Sequence, residues 1–247
     1  MSTASPRTGV DASSLIFKRA NNSGQATLRR RFSKQLSVRA ICTFAKSIDE
    51  TSNTGGTIAY NFSQAQDSRN LKLERGRSDF DMGHTFAGSF IWTPAFSRHR
   101  LARDWQVSGT STIYTGPPFT PRVANVSYSN GEATRPDRLA KGTVDNPGPD
   151  LWFDRRAFPV VPTGSYRFGN SGRNILDGPG AIVINTSLSR RIRFADTRLL
   201  QFRLESFNLP NHPNFSLPEN NVNVLAGATI NRTKNNRNLQ LGLRLEF

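Results

Sequence analysis

The sequence predicts an all-β chain: an antiparallel, up-and-down sheet of about seven strands, laid out as the wall of a transmembrane β-barrel with long loops at one end. Three observations predict it. Apolar and polar residues alternate with period two in seven separate stretches, the signature of strands with one apolar and one polar face. The connections between them are alternately short and long. Composition joins a low apolar fraction (36%, mean hydropathy −0.51) to 17 Phe, which a disordered chain would lack.

The first stretch is Gln25 to Phe32, with Ala26, Leu28 and Phe32 opposite Thr27, Arg29 and Arg31, and with Arg30 interrupting the apolar face. After the turn Ser33-Lys34-Gln35 comes Leu36 to Phe44, where Leu36, Val38, Ala40, Cys42 and Phe44 alternate with Ser37, Arg39 and Thr43. The third is Phe80 to Trp92, and the fourth is Trp105 to Tyr114, with Trp105, Val107 and Ile113 opposite Gln106, Ser108, Thr110 and Thr112. The fifth, Ile182 to Arg191, sets Ile182, Ile184 and Leu188 against Asn185, Ser187 and Ser189. The sixth, Leu200 to Phe207, sets Leu200, Phe202 and Leu204 against Gln201, Arg203 and Glu205. The chain closes on Leu239, Leu241, Leu243, Leu245 and Phe247 alternating with Gln240, Gly242, Arg244 and Glu246. Residues 1–24 read as a loop or disordered lead-in, and 25–247 as strands and loops.

Ser33–Gln35 and Phe194–Asp196 are tight turns, and Ala95–Asp104 is moderate. Ile48–Asp79, the Gly- and Pro-rich Gly116–Gly180, and Pro210–Asn236 are long. Short turns at one end and long loops at the other describe an outer-membrane barrel. Period two alone does not say whether the apolar face meets lipid or a second sheet, so a soluble β-sandwich with long binding loops is the alternative. Two features favour the barrel. Charged residues stand at mid-strand on the polar face (Arg39, Arg203, Glu205, Arg244), as a wet lumen tolerates, and aromatics stand near strand ends (Phe44, Trp92, Trp105, Phe247).

The net charge of +15 suggests an anionic partner, but the arginines are dispersed and no nucleic-acid-binding motif accompanies them. No nucleic acid is expected. The single cysteine, Cys42, excludes an internal disulfide and sits in the apolar register. The N-terminal residues show no secretory signal pattern, and no apolar run reaches the length of a spanning helix. His84, His99 and His212 lack metal-ligand spacing. Asp150 and Asp154 flank Trp152 and Phe153 in a Gly/Pro-rich loop. A glycan hydrolase would use such a pair, yet no activated nucleophile or base accompanies it, so no catalysis, metal or cofactor is expected. Ser97 to Arg103 is a basic turn suited to anionic headgroups.

Six segments, FDMGHTFAGSFIWTPAF, WQVSGTSTIYTGPPFTP, RPDRLAKG, LWFDRRAFP…GSYRFGNSGRNILDGPG, LQFRLESFNLPNHPNF and LQLGLRLEF, stand in an order that resembles the C-terminal part of TonB-dependent outer-membrane receptors. The resemblance runs from about Ser23 to Phe247 and is nearest the Oar-like group, whose full-length members carry a carboxypeptidase-regulatory-like domain. The last eight residues also resemble the outer-membrane β-signal, with Gln240, Gly242, Leu245 and Phe247 in its specified places.

The resemblance implies a ligand-uptake function at the cell outer membrane. It implies lipid, the barrel-assembly machinery, the remaining N-terminal barrel and plug, and through the plug TonB, as partners. It further implies that Arg29, Arg39, Gln106, Arg203, Glu205 and Arg244 face the lumen, and that loop residues Trp152, Phe153 and Asp154 are candidate ligand contacts. About seven strands are fewer than such a barrel needs, so the expectation is an open barrel segment that does not transport alone.

Overall fold

The computed structural model of the protein describes residues 18–32, 35–52, 65–67, 69–94, 103–123, 134–194 and 198–247. In chain order the strands are β1 (Arg19–Arg31), β2 (Leu36–Asp49), β3 (Gly76–Arg77), β4 (His84–Trp92), β5 (Trp105–Tyr114) and β6 (Pro118–Phe119). They continue with β7 (Leu176–Asp177), β8 (Ala181–Arg193), β9 (Leu199–Phe207), β10 (Asn214–Phe215), β11 (Thr233–Lys234) and β12 (Asn238–Glu246). Seven long strands form one antiparallel sheet in the order β1-β2-β4-β5-β8-β9-β12, with β3 added to the far end of β2. Each long strand lies beside its sequence neighbour, which is the up-and-down layout. The sheet is open: within the described residues β1 and β12 each pair on one side only.

The seven alternating stretches correspond to the seven long strands, with shifted boundaries. β1 begins at Arg19, so 19–24 are strand and not lead-in, and β2 runs on to Asp49. These extensions, Arg19 to Gly24 and Ala45 to Asp49, carry mostly polar residues and no alternating apolar face. Ladder hydrogen bonds need no apolar side chain, so pairing outlasts the apolar pattern where a sheet reaches water. Phe80 and Met82 precede β4 and lie in a turn in which Asp81 N–H donates to the Ser78 carbonyl. Period two continued by chance across that turn.

The register fixes the two faces. Leu36, Trp92, Val107, Leu188, Leu204 and Leu241 form one unbroken apolar row across six strands. On the other face Gln106, Ser189, Arg203 and Gly242 lie in one row, and Ser108, Ser187, Glu205 and Gln240 in the next. No second sheet covers the apolar face among the described residues: Leu204 is 39% exposed and Leu241 64%. A sandwich would bury these side chains.

The protein's hydrophobic core lies in the connections instead. Phe119, Val123, Phe153, Ala157, Phe158 and Leu176, between β5 and β8, pack with Val222 and Ala228, between β9 and β12. The long Gly/Pro-rich stretch is therefore a folded element. It holds the β6–β7 pair and a 3-10 helix, Arg155–Ala157. Its ends meet where Gly178 N–H donates to the Pro117 carbonyl at 2.9 Å, and Gly116 lies so close to the Gly178 carbonyl that a side chain there would collide with it.

Candidate functional site

All three long connections leave the same end of the sheet, and they fold together. The first, between β2 and β4, is fastened to the second by buried polar side chains. Gln66, 1% exposed, donates to the Gly169 carbonyl at 3.0 Å and accepts from Arg135 N–H at 2.7 Å. Arg135 and Glu74 form an ion pair at 2.7 Å with both side chains 5% exposed. Arg173 donates from Nε to the Glu74 carbonyl at 2.8 Å and pairs with Asp49 at the end of β2 and with Asp79. Asn174, held at φ 54°, donates to the Arg77 carbonyl and to Asp79.

The third connection, between β9 and β12, is sewn to the second mainly through backbone groups. Trp152 N–H donates to the Ala228 carbonyl (2.8 Å), Ile230 N–H to the Pro149 carbonyl (2.7 Å), and the Arg155 guanidinium to the Val224 carbonyl (2.7 Å). Asn220 bridges the two, donating to the Thr120 carbonyl at 2.9 Å and accepting from Arg122 at 3.2 Å. The result is one packed unit at the loop end of the sheet.

The segment FNLPNHPNF is explained by this sewing. Asn208 and Asn211 adopt left-handed φ of 50° and 54°, where asparagine is tolerated. The Asn208 side chain donates to the His212 and Asn235 carbonyls and accepts from His212 N–H. The Asn214 amide accepts from Ile182 N–H (2.8 Å) and donates to the Ile182 carbonyl (3.0 Å), standing in for a strand residue beside β8.

The six polar strand residues do share a face. Arg29 lies directly opposite Arg39, and the row runs on through Ser89 and Thr110 to Asn185. Gln106, Arg203, Glu205 and Arg244 are on that same face by two-residue steps. Arg203, exposed, reaches the half-buried Glu205 at 3.6 Å, and Arg244, exposed, reaches Glu246 at 3.1 Å. Gln240 and Gly242 lie on the polar face opposite Glu205 and Arg203, Leu245 lies on the apolar face opposite Leu200, and Phe247 follows the last strand residue with 94% exposure.

Of the three loop residues Phe153 is buried, and Trp152 and Asp154 are half-buried. Phe153 is 1% exposed and packs against Phe119 and Phe158, with ring centroids 5.6 and 6.0 Å away. Trp152 donates its indole N–H to the Asp177 carbonyl at 2.8 Å. Asp154 caps the short 3-10 helix by accepting from Arg156 N–H at 2.9 Å. All three hold the loop unit together. Sequence reasoning missed the unit itself, although one signal was available: Phe119, Trp152, Phe153, Phe158 and Leu176 are more apolar residues than a solvated loop would carry.

His84 opens β4 with its ring edge-on to Phe44 at 4.9 Å, and the His212 ring contacts Asn214. His99 and most of the Ser97 to Arg103 turn lie outside the described residues. Among the described residues no group of three His, Cys, Asp or Glu could hold a metal ion. In the second loop Arg167 donates to Asp137 at 2.7 Å. That hydrogen bond, with help from Asn170 N–H and the guanidinium charge, keeps the Asp137 carboxyl below its ordinary range against the opposing effect of desolvation.

An apolar face left uncovered by the described residues, a charged opposite face, the shorter connections at one end and folded loops at the other define a membrane-spanning β-sheet protein. The family model described as "Outer membrane beta barrel domain" matches residues 10–240, and the chain belongs to that family. It is therefore placed in the outer membrane, and the apolar row meets lipid. No curated protein and no solved structure matches the chain at a significant level.

Proposed function

We propose that the chain forms the C-terminal wall and the exterior ligand-capturing loops of a TonB-dependent receptor of the Oar-like group. The observation that carries this reading is the loop unit. The second and third connections share a core, and buried ion pairs fasten the first connection and the end of β2 to the second; together they make a preformed body at the loop end of the sheet, where a solute entering from outside would first be held. The six ordered segments described above support the group assignment.

Strand direction supports the proposed partners. Among the described residues the sheet has seven long strands, each antiparallel to its neighbours, so β1 and β12 run the same way. They cannot join each other antiparallel, so closure of an antiparallel barrel calls for an odd number of further strands. In lipid a bare strand edge is too costly to persist. The remaining N-terminal barrel supplies those strands, its plug closes the lumen, and TonB acts through the plug. The barrel-assembly machinery reads Gln240, Gly242, Leu245 and Phe247. The chain has no catalytic role and no nucleic-acid partner, and it does not transport alone.

Affinity capture of the chain from outer membranes, followed by mass spectrometry, tests this. Co-purification of plug and further barrel sequences, with a cross-link to TonB, is expected. A folded barrel made of this chain alone, or ligand uptake by cells expressing only this chain, would overturn the reading.

A further inference from the structure

The lipid-facing side of the sheet carries a feature that uptake does not explain. On β2 the apolar column Val38, Ala40, Cys42, Phe44 is followed on the same face by Lys46. Phe44 lies between Gly24 of β1 and His84 of β4, and Lys46 lies opposite Asn22. Gly24 has no side chain, and a Cβ built there would meet nothing within 4 Å. A shallow open cleft of about 620 Å³ results, lined by Asn22, Gly24, Phe44, Lys46, Arg77 and His84 among others.

Three properties of this cleft point to one class of ligand. Its depth is set by the column: Phe44 stands where aromatics mark the membrane boundary, and Lys46 is about 7 Å further out, at headgroup level. Its charge is positive. Lys46 is exposed and makes no ion pair among the described residues. Among the described residues the one acid lining the cleft, Asp81, is 4% exposed and already bonded by Arg77 and by Ser47 N–H. Its end of the sheet is the loop end, which faces the exterior in outer-membrane barrels. We propose that this cleft binds a phosphate-bearing lipid of the outer leaflet. The phosphate contacts the Lys46 ammonium and Asn22, the headgroup rests over Gly24, and the acyl chains run down the apolar column below Phe44. The site rests on the exterior placement of the loops and not on uptake, so its failure and that of the transport reading are separate results.

Native mass spectrometry on the protein extracted from outer membranes in mild detergent tests the proposal. The probes are bisphosphorylated lipid A, dephosphorylated lipid A, phosphatidylglycerol and inorganic phosphate. Bisphosphorylated lipid A should be retained severalfold better than the dephosphorylated form. Lys46→Gln should erase that preference, and Lys72→Gln, an exposed lysine of the first loop that does not line the cleft, should keep it. Gly24→Leu, which fills the cleft without removing a charge, should weaken retention and guards against misfolding of Lys46→Gln. Equal retention of both forms of lipid A, a preference that survives both cleft variants, equal retention of phosphatidylglycerol, or displacement by inorganic phosphate would each overturn it.

Discussion

Arg135 and Glu74 belong to different loops, 61 residues apart, and meet at 2.7 Å in a site where each side chain is 5% exposed. The pair closes the first loop onto the second. Removing one partner leaves a buried charge without compensation, which costs about 3–5 kcal/mol. Arg135→Ala or Glu74→Ala should therefore loosen the loop unit while the sheet persists. Amide hydrogen exchange should speed up around 66–75 and 134–137 and stay unchanged in β5 and β8. Replacing both partners by apolar residues of similar volume should cost much less than either single change.

Phe153 shares its core with Phe119 and Phe158. Phe153→Ala opens a cavity in a close-packed cluster and should destabilise the loop unit by about 3–5 kcal/mol. Leu151→Ala, two residues away and 50% exposed, should change stability by less than about 0.5 kcal/mol. Limited proteolysis of the purified protein separates the two: new cleavage within 134–180 for the first variant, and the parental pattern for the second.

Asp137 gives the loop unit an acid-side dependence. Its carboxyl is held below the ordinary range by Arg167, so the folded unit favours the charged form. The stabilisation is fully present above the unfolded carboxyl value of about 3.9 and is lost as pH falls below it toward the folded value. Opening of 134–170, followed by hydrogen exchange, should rise as pH drops through about 4. In Asp137→Asn the unit should be looser at neutral pH, and this part of the pH dependence should flatten.

The seven long strands were legible because a sheet with one face in lipid must repeat every second residue, and Leu36 to Phe44 or Leu200 to Phe207 could hardly do otherwise. Their ends were not legible at the loop side. Arg19 to Gly24 and Ala45 to Asp49 pair through backbone groups, and nothing in their side chains announces it. The common face of Arg29, Arg39, Gln106, Arg203, Glu205 and Arg244 followed from the same period. The loop unit was hidden because its contacts are remote in sequence and irregular. Gln66 with Gly169 and Arg173 with Asp49 are joined by side chains meeting backbone, which has no period to read. For that reason Phe153 looked like an exposed aromatic and is a core residue.

Charge placement distinguishes the two faces energetically. Leu204 belongs to the apolar row and lies near the middle of β9, and Ser187, opposite Glu205, lies on the polar face. An arginine facing lipid near mid-depth costs about 2–4 kcal/mol in an outer-membrane barrel, whereas lumen positions accept charge. Leu204→Arg should lower the temperature at which the folded band is lost on unheated gels, and Ser187→Arg should leave it near the parental value.

The central claim is that even and odd residues of the strands meet different solvents. It is tested most directly by single cysteines along β12, in a Cys42→Ala background, in protein held in its native outer membrane. Gln240→Cys and Arg244→Cys should react with a water-soluble maleimide, while Leu241→Cys and Leu243→Cys should resist it and, once carrying a fluorophore, be quenched by brominated lipid. Equal labelling at all four positions, or quenching of residues 240 and 244 in place of 241 and 243, would contradict the account.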